Sequence, residues 1–194
     1  MKPFKDYDKT QAFAEYERLP KGGYVLTVLG VAIQRWPSGD EYLQLSCDIS
    51  EGDYNGFFAK QYKEDTREDK NWKCNFNLSI PKEDGSERDG WTKRRFKTTM
   101  NAFEDSNPGY HWDWNEAGLK GKKIGGLFNI RQWEKSDGSI GETTNLAQLT
   151  TIENIKNGSY KLPKDKLVET TDTTETDDFV NAATLFNDDA LPFS

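Results

Sequence analysis

The chain has 194 residues, of which 34% are hydrophobic and 30% are charged, and no stretch is apolar for long enough to cross a membrane. The first ten residues contain no apolar run, so we expect no secretory signal and a cytoplasmic location. The net charge of −7 sits entirely in residues 169–194, since the first 168 residues hold 26 acidic and 26 basic side chains. Such segregation is typical of a compact body followed by a solvated acidic tail.

The first half of the body has the pattern of a hairpin. Residues 1–20 form a charged arm without a clear period. A strand is predicted over Tyr24–Trp36, with a bulge or bend at Gly30. After a turn at 37–40, a second strand over Tyr42–Ser50 alternates strictly between an apolar and a polar face. Its predicted core residues are Leu43, Leu45, Cys47 and Ile49.

The middle of the chain mixes strands, a loop and a helix. A short third strand is predicted over Phe57–Tyr62, followed by a charged loop over Lys63–Lys70. Alternation resumes over Trp72–Ile80. Apolar residues then recur at helical spacing between about Thr92 and Asp105, and Asn107-Pro108-Gly109 ends this helix. Both cysteines, Cys47 and Cys74, fall in apolar strand patterns and are predicted to be core residues.

Two further strands complete the pattern, over Ile124–Trp133 and around Asn145–Ile155. A succession of strands, one helix and a closing hairpin predicts a mainly β fold, namely an OB-type five-stranded barrel with one helix at its end. We therefore divide the chain into an N-terminal arm (1–20), an OB-fold domain (21–163) and a disordered acidic tail (164–194) with a hydrophobic tip.

The tip is the most distinctive segment of the sequence. The tail is rich in Thr and Asp and cannot bury enough apolar surface to offset the entropy of ordering. It nevertheless closes with Asp188-Asp189-Ala190-Leu191-Pro192-Phe193-Ser194, in which two acids ahead of Leu-Pro-Phe form a compact docking element. The predicted partner-docking residues are Asp188, Asp189, Leu191, Pro192 and Phe193.

This tip resembles that of bacterial single-stranded DNA-binding proteins, which end in acids, an apolar residue, Pro and Phe. Ser194 departs from that pattern, because in the family the Phe carries the terminal carboxylate. The body resembles a family of phage replication-associated proteins similar to single-stranded DNA-binding proteins, over about residues 15–165. The segments that carry this resemblance are Tyr16–Tyr24, Asp48–Gly52, Trp72–Cys74, Ser106–Trp114 and Gly118–Gly125.

Non-specific binding of a single strand needs cations along the phosphates and flat rings on which bases stack. A ring on the polar face of a strand has no core to fill, and this criterion selects the aromatic candidates. The predicted DNA-binding residues are Trp36, Tyr42, Phe58, Lys60, Tyr62, Lys73, Arg94, Arg95, Lys122, Lys123, Arg131 and Trp133. Trp72 and Phe76 pattern with the core instead.

Several of these residues have an alternative interpretation. Lys93-Arg94-Arg95 lies in the first turn of the predicted helix, where the macrodipole disfavours cations, so it either binds phosphates or pairs with acids such as Glu87 and Asp89. Lys120, Lys122 and Lys123 either approach a nucleic-acid backbone or form a solvated loop. For Trp112-Asp113-Trp114 we favour sealing of the barrel end over stacking on a base.

The sequence gives little support to an enzyme. There is no phosphate-binding Gly-Lys-Ser/Thr loop. His111 is the only histidine, so the sequence lacks the residues that a typical zinc site or Ser-His or Cys-His catalysis requires. Glu68-Asp69-Lys70 lies in a wholly polar segment that cannot hold two metals rigidly. We therefore predict no catalytic residues, no cofactor and no metal.

The sequence thus predicts a protein that binds single-stranded DNA without strong sequence preference during phage DNA replication or recombination. Its tail would recruit replication or recombination proteins through the tip and compete with DNA. The alternative is a protein–protein adaptor or recombination mediator whose barrel does not bind DNA. No membrane partner is expected, and the pattern does not determine an oligomeric state.

Overall fold

The computed structural model describes Lys5 and residues 17–168. The predicted tip and nearly all of the predicted arm before residue 17 lie outside these residues. In the described part, no helix has both the length and the apolar character needed to cross a membrane.

The body is built on one five-stranded antiparallel sheet with the order β3-β2-β1-β4-β5. The strands are β1 (Gly22–Arg35), β2 (Glu41–Ile49), β3 (Asn75–Ser79), β4 (Lys123–Glu134) and β5 (Ile140–Thr150). The prediction of a mainly β fold is therefore confirmed. Cα atoms of the two edge strands, β3 and β5, approach within 8 Å. No pairing joins these edges within residues 17–168, so closure into a barrel is not confirmed.

Within residues 17–168, three α-helices and one short 3₁₀-helix accompany the sheet. They are α1 (Phe57–Glu64), α2 (Glu87–Ser106), α3 (Ile152–Asn157) and the 3₁₀ turn Glu116–Leu119. The predicted strand over Phe57–Tyr62 is wrong, because this segment is α1. The last strand begins earlier than predicted, and the residues predicted to form its end are helical and form α3. The Thr151 side chain caps this helix by accepting a hydrogen bond from the amide of Asn154 at 3.2 Å.

The core lies between the inner face of the sheet and the apolar side of α2. The four predicted core residues of β2 are all at most 2% exposed, and Phe76 is 4% exposed, so these predictions are confirmed. Phe96, Met100 and Phe103 of α2 pack into the same cluster. Cys47 and Cys74 are buried and unbonded, as predicted, and burial raises the pKa of the Cys47 thiol to about 12.

Asp48 is the exception to the polar face of β2, because it is buried at 7% exposure. Its carboxylate accepts hydrogen bonds from the amides of Phe58 at 3.0 Å and Ala59 at 3.1 Å. These amides belong to the first turn of α1, whose own N-cap, Gly56, has no side chain to offer. A strand residue therefore caps a helix that begins nine positions after it in the sequence.

Replacing Asp48 with Ala should lower the free energy of unfolding by about 1–3 kcal/mol, because buried amide donors of α1 lose their acceptor. Urea unfolding followed by circular dichroism measures the change. Asp53→Ala, at an exposed position in the loop between β2 and α1, is the matched control and should change stability by less than about 0.5 kcal/mol. Equal effects of the two substitutions would show that Asp48 does not hold α1.

Candidate nucleic-acid interface

The outward face of β1, β2 and β3 is a polar surface with partly exposed side chains. The register sets Gly30 beside Ser46 and Ala32 beside Gln44, and these β2 residues lie beside Asn75 and Asn77 of β3. Side-chain hydrogen bonds join the β2 and β3 members, at 2.7 Å between Ser46 Oγ and Asn75 Oδ1 and 3.3 Å between Gln44 Nε2 and Asn77 Oδ1. Because Gly30 and Ala32 have little or no side chain, the β1 part of this surface projects less than the parts formed by β2 and β3.

One end of this polar face carries two stacked rings. Tyr42 continues the outward row of β2, and Trp36 follows the last residue of β1 at the start of the hairpin turn. Their ring centroids are 4.0 Å apart with an interplanar angle of 26°. Trp36 is 39% exposed, so the pair leaves ring surface open to a ligand. Both residues were predicted from the sequence, and the structure brings them together.

Trp133 forms a second platform, on the hairpin of β4 and β5. It lies opposite Gly141 in the register, and a Cβ atom at Gly141 would come within 2.5 Å of Trp133 Cε2. The ring therefore rests on the bare backbone of Gly141 and is 42% exposed. Arg131 occupies the same outward row and is exposed as well.

The Trp36–Tyr42 pair and Trp133 do not lie side by side in the sheet. β4 pairs with β1 only between Lys123 and Phe128, opposite Thr27 to Gly22. Beyond this region β1 continues toward Trp36 in one direction, and β4 continues toward Trp133 in the other. The two hairpins therefore extend toward opposite ends of the sheet.

The predicted DNA-binding residues of α1 differ in their exposure. Phe58 is only 5% exposed and stacks on Phe128 in the core, so its prediction as an outward ring is wrong. The expected strand periodicity gave this error, because in a helix Phe58 and Tyr62 share a face but Lys60 does not. Tyr62 is 38% exposed and has the ammonium of Lys70 4.6 Å from its ring centroid.

Two more residues lie in this region. Lys73 is exposed just before the outward row of β3, where it was predicted. Trp72 is partly buried against the core, as predicted, and its indole nitrogen donates to the Cys47 carbonyl at 2.9 Å.

The basic residues Lys93, Arg94 and Arg95 of α2 do not all have the same role. One pairs with an acid, and the other two remain open to a phosphate. Lys93 pairs with the buried carboxylate of Asp89 at 3.0 Å, which is the structural alternative. Arg94 and Arg95 are exposed, with their guanidinium carbons 5.9 Å from the Trp91 ring centroid and 5.6 Å from that of Phe76. Their charges remain available to a phosphate, since no ion pair with a described residue is seen for either.

Two of the three lysines around the start of β4 are in contact with neighbouring side chains. Lys123 pairs with Glu51 at 2.9 Å. Lys122 places its ammonium 4.7 Å from the ring centroid of Tyr110. These contacts favour a structural role for Lys123 in particular and leave Lys120 as the exposed cation of the loop.

The two tryptophans after α2 differ in their surroundings. Trp112 packs against the core, in agreement with a sealing role. Trp114 is 78% exposed and has a φ of 66°, a left-handed conformation that costs a bulky residue on the order of 1–3 kcal/mol. The sequence motif alone gave no signal for this difference.

The described residues contain no group of three or more His, Cys, Asp or Glu side chains placed to hold a metal ion. No protein-family model matches the chain, and a search of the curated proteins finds no significant match. The resemblance to phage and bacterial single-stranded DNA-binding proteins therefore remains a prediction.

Gly141→Ala should displace the Trp133 ring, because the added Cβ has no space against the indole. We expect a clear shift of the Trp133 indole N–H signal in a ¹H–¹⁵N NMR spectrum and increased solvent quenching of tryptophan fluorescence. Thr143→Ala, on the same strand and face, should leave this signal in place. An unchanged Trp133 signal in the Gly141 variant would contradict the platform.

Proposed function

We propose that this protein binds single-stranded DNA without strong sequence preference along the outward face of β1, β2 and β3. The observation that carries the proposal is the stacked pair Trp36–Tyr42 at the end of a polar, partly exposed sheet surface. A pair of rings already held parallel loses little freedom when a base is added, which favours binding.

The chemistry of the face fits unpaired bases better than a duplex. Amides such as Gln44 and Asn77 both donate and accept hydrogen bonds, so they accommodate any base edge. The small residues Gly30 and Ala32 let a strand approach the backbone closely. Lys73, at the start of the outward row of β3, is an exposed cation available for a phosphate, while Arg94 and Arg95 of α2 and Arg131 of the β4–β5 hairpin are exposed cations outside this face. Rings combined with scattered cations are the usual basis of sequence-tolerant single-strand binding.

The strand order supports an OB-type barrel as the scaffold of this function. β1 pairs with β2 on one side and β4 on the other, one long helix follows β3, and the edge strands approach each other. This arrangement favours a partly open five-stranded barrel, a fold that binds oligonucleotides on one sheet face. A role in phage DNA replication or recombination in the host cytoplasm belongs to the same proposal and rests on the resemblance of the sequence.

Trp36→Ala should weaken binding of oligo(dT) by roughly 5- to 150-fold, the equivalent of losing one base stack of about 1–3 kcal/mol. Fluorescence anisotropy of labelled oligo(dT) measures the affinity. Trp36→Phe is the matched control and should retain most of the affinity, because it keeps a ring on Tyr42. Equal losses in both variants, or none in either, would contradict stacking at this position.

The salt dependence of binding separates DNA binding from the adaptor alternative. For single-stranded DNA, log affinity should fall by about 0.7 per neutralised phosphate for each log unit of salt. Binding that does not respond to salt, or absence of binding in dilute buffer, would favour an adaptor. Duplex DNA and single-stranded RNA of matched length complete the comparison.

Removing residues 169–194 should tighten DNA binding, mostly at low salt. This segment carries seven acids and no Lys or Arg, so it competes with phosphates for the cations of the body. A tethered competitor acts at an effective concentration on the order of millimolar. Titrations of the full chain and the shortened chain at two salt concentrations test this expectation, and unchanged affinity at low salt would exclude competition by the tail.

A further inference from the structure

A second surface of the same β1–β2 hairpin is apolar. On the inner side of the hairpin, a groove of about 760 Å³ lies between the strands, α2 and the segment that contains Trp112 and Trp114. Its apolar lining includes Ile33, Leu43, Ile80, Phe96, Met100 and Trp114.

Two residues show that this apolar surface is left open in the body. Ile33 lies opposite Leu43 in the core-facing row of the sheet, yet it is 50% exposed. The ring of Trp114 is nearly parallel to that of Phe96, at 10° and a centroid distance of 6.3 Å, while the residue is 78% exposed. The left-handed backbone of Trp114 holds the ring there at a cost. A contiguous open apolar surface of this kind marks an interaction site.

The lining favours a peptide with apolar and acidic residues over a nucleic acid. Three lysines (Lys82, Lys93, Lys97) and three glutamates (Glu83, Glu104, Glu116) line the groove, so it carries no net charge for a phosphate chain. On its α2 wall, however, Lys93 and Lys97 alternate with Phe96 and Met100 at the spacing of one helix face. Lys97 forms no ion pair with a described residue.

We propose that the C-terminal tip of this same chain occupies the groove. Leu191, Pro192 and Phe193 would fill the apolar floor, and Asp188 and Asp189 would lie at Lys97, because Lys93 is already paired with Asp89. The tip complements the α2 wall, because its acidic pair is followed, after Ala190, by the apolar triplet Leu191-Pro192-Phe193. This proposal does not rest on DNA binding by the outer face of the hairpin.

The length of the tail is sufficient. Leu191 follows Val168, the last described residue, by 23 positions. An extended segment of that length spans at most about 80 Å, whereas a domain of this size has a radius of gyration near 15 Å, so the tip can reach any surface of the body. The polar pocket beside Trp36 shares Ile80 and Lys82 with the groove. A docked tip therefore brings the acidic tail close to the Trp36 end of the outer face.

The test is paramagnetic relaxation in the full-length chain with a nitroxide on Ser194→Cys. Cys47 and Cys74 are 0% and 1% exposed, so the new thiol is labelled selectively. A tether gives an effective concentration on the order of millimolar, so even a docking Kd of about 1 mM keeps half of the tips bound, and amide signals of Phe96, Lys97 and Trp114 should weaken at least about twofold. Signals of Gly141 and its neighbours should not.

Matched variants separate docking from chance contact. Ile33→Asp should remove the signal loss, and Leu29→Asp should not, because Leu29 is 44% exposed on the same strand but does not line the groove. In the tail, Phe193→Ala should remove the loss, while Phe186→Ala should leave it. These variants carry the same label on the full chain, and their NMR spectra report whether each remains folded.

Four outcomes would overturn the proposal. Signal loss spread over the basic residues of the surface would show that the tail binds by charge alone, and signal loss confined to the outer face at Gln44 would place the tip on the opposite side of the hairpin. Signal loss that Ile33→Asp leaves unchanged would place the tip elsewhere. If ¹⁵N-labelled unmodified protein loses the same signals when mixed with spin-labelled protein at natural abundance, the tip binds a second copy of the chain.

Discussion

The fold and both candidate surfaces depend on β1, the strand that is shared by the two halves of the sheet. It pairs with β4 through Gly22–Thr27 and with β2 through Leu26–Arg35. Between Val28 and Gly30 the register shifts by one residue. Before this bulge Leu26 and Val28 face the core, and after it Val31 and Ile33 do. A bulge bends the strand and exchanges the faces of all residues that follow.

This exchange produces the outer surface. Because of it, Gly30, Ala32 and Gln34 face outward beside β2, and the row leads to the Trp36–Tyr42 pair. The sequence predicted a bulge or bend at Gly30, and the structure confirms it. In a regular strand the same residues would face the core, and the low polar surface between the rings and β3 would not exist.

The exposed rings of the two hairpins are braced by their neighbours. Trp36 rests on Tyr42, and Trp133 rests on the backbone of Gly141. Several cations, in contrast, are held in ion pairs, such as Lys93 with Asp89 and Lys123 with Glu51. The body is neutral overall. In the proposed complex, stacking would therefore contribute more than bulk charge, while the same hairpin would offer its inner, apolar side to the tip.

The sequence by itself determined the features that depend on local periodicity. Strict alternation fixed the core face of β2, and helical spacing placed α2 correctly, although its first turn begins five residues before the predicted start. These patterns are reliable because each strand or helix buries one side against a single core. The outward positions of Trp36, Tyr42 and Trp133 followed from the same alternation.

Tertiary structure decided the secondary structure and the exposure of residues whose sequence pattern is short or mixed. The eight residues of α1 fit a strand or a helix, and the choice depends on Asp48, which caps the helix from β2, and on the burial of Phe58 against Phe128. Likewise, only the fold distinguishes the packed Trp112 from the exposed Trp114, and only it joins Ile33 to α2 across an open groove. These contacts join residues far apart in the chain, so local periodicity carries no information about them.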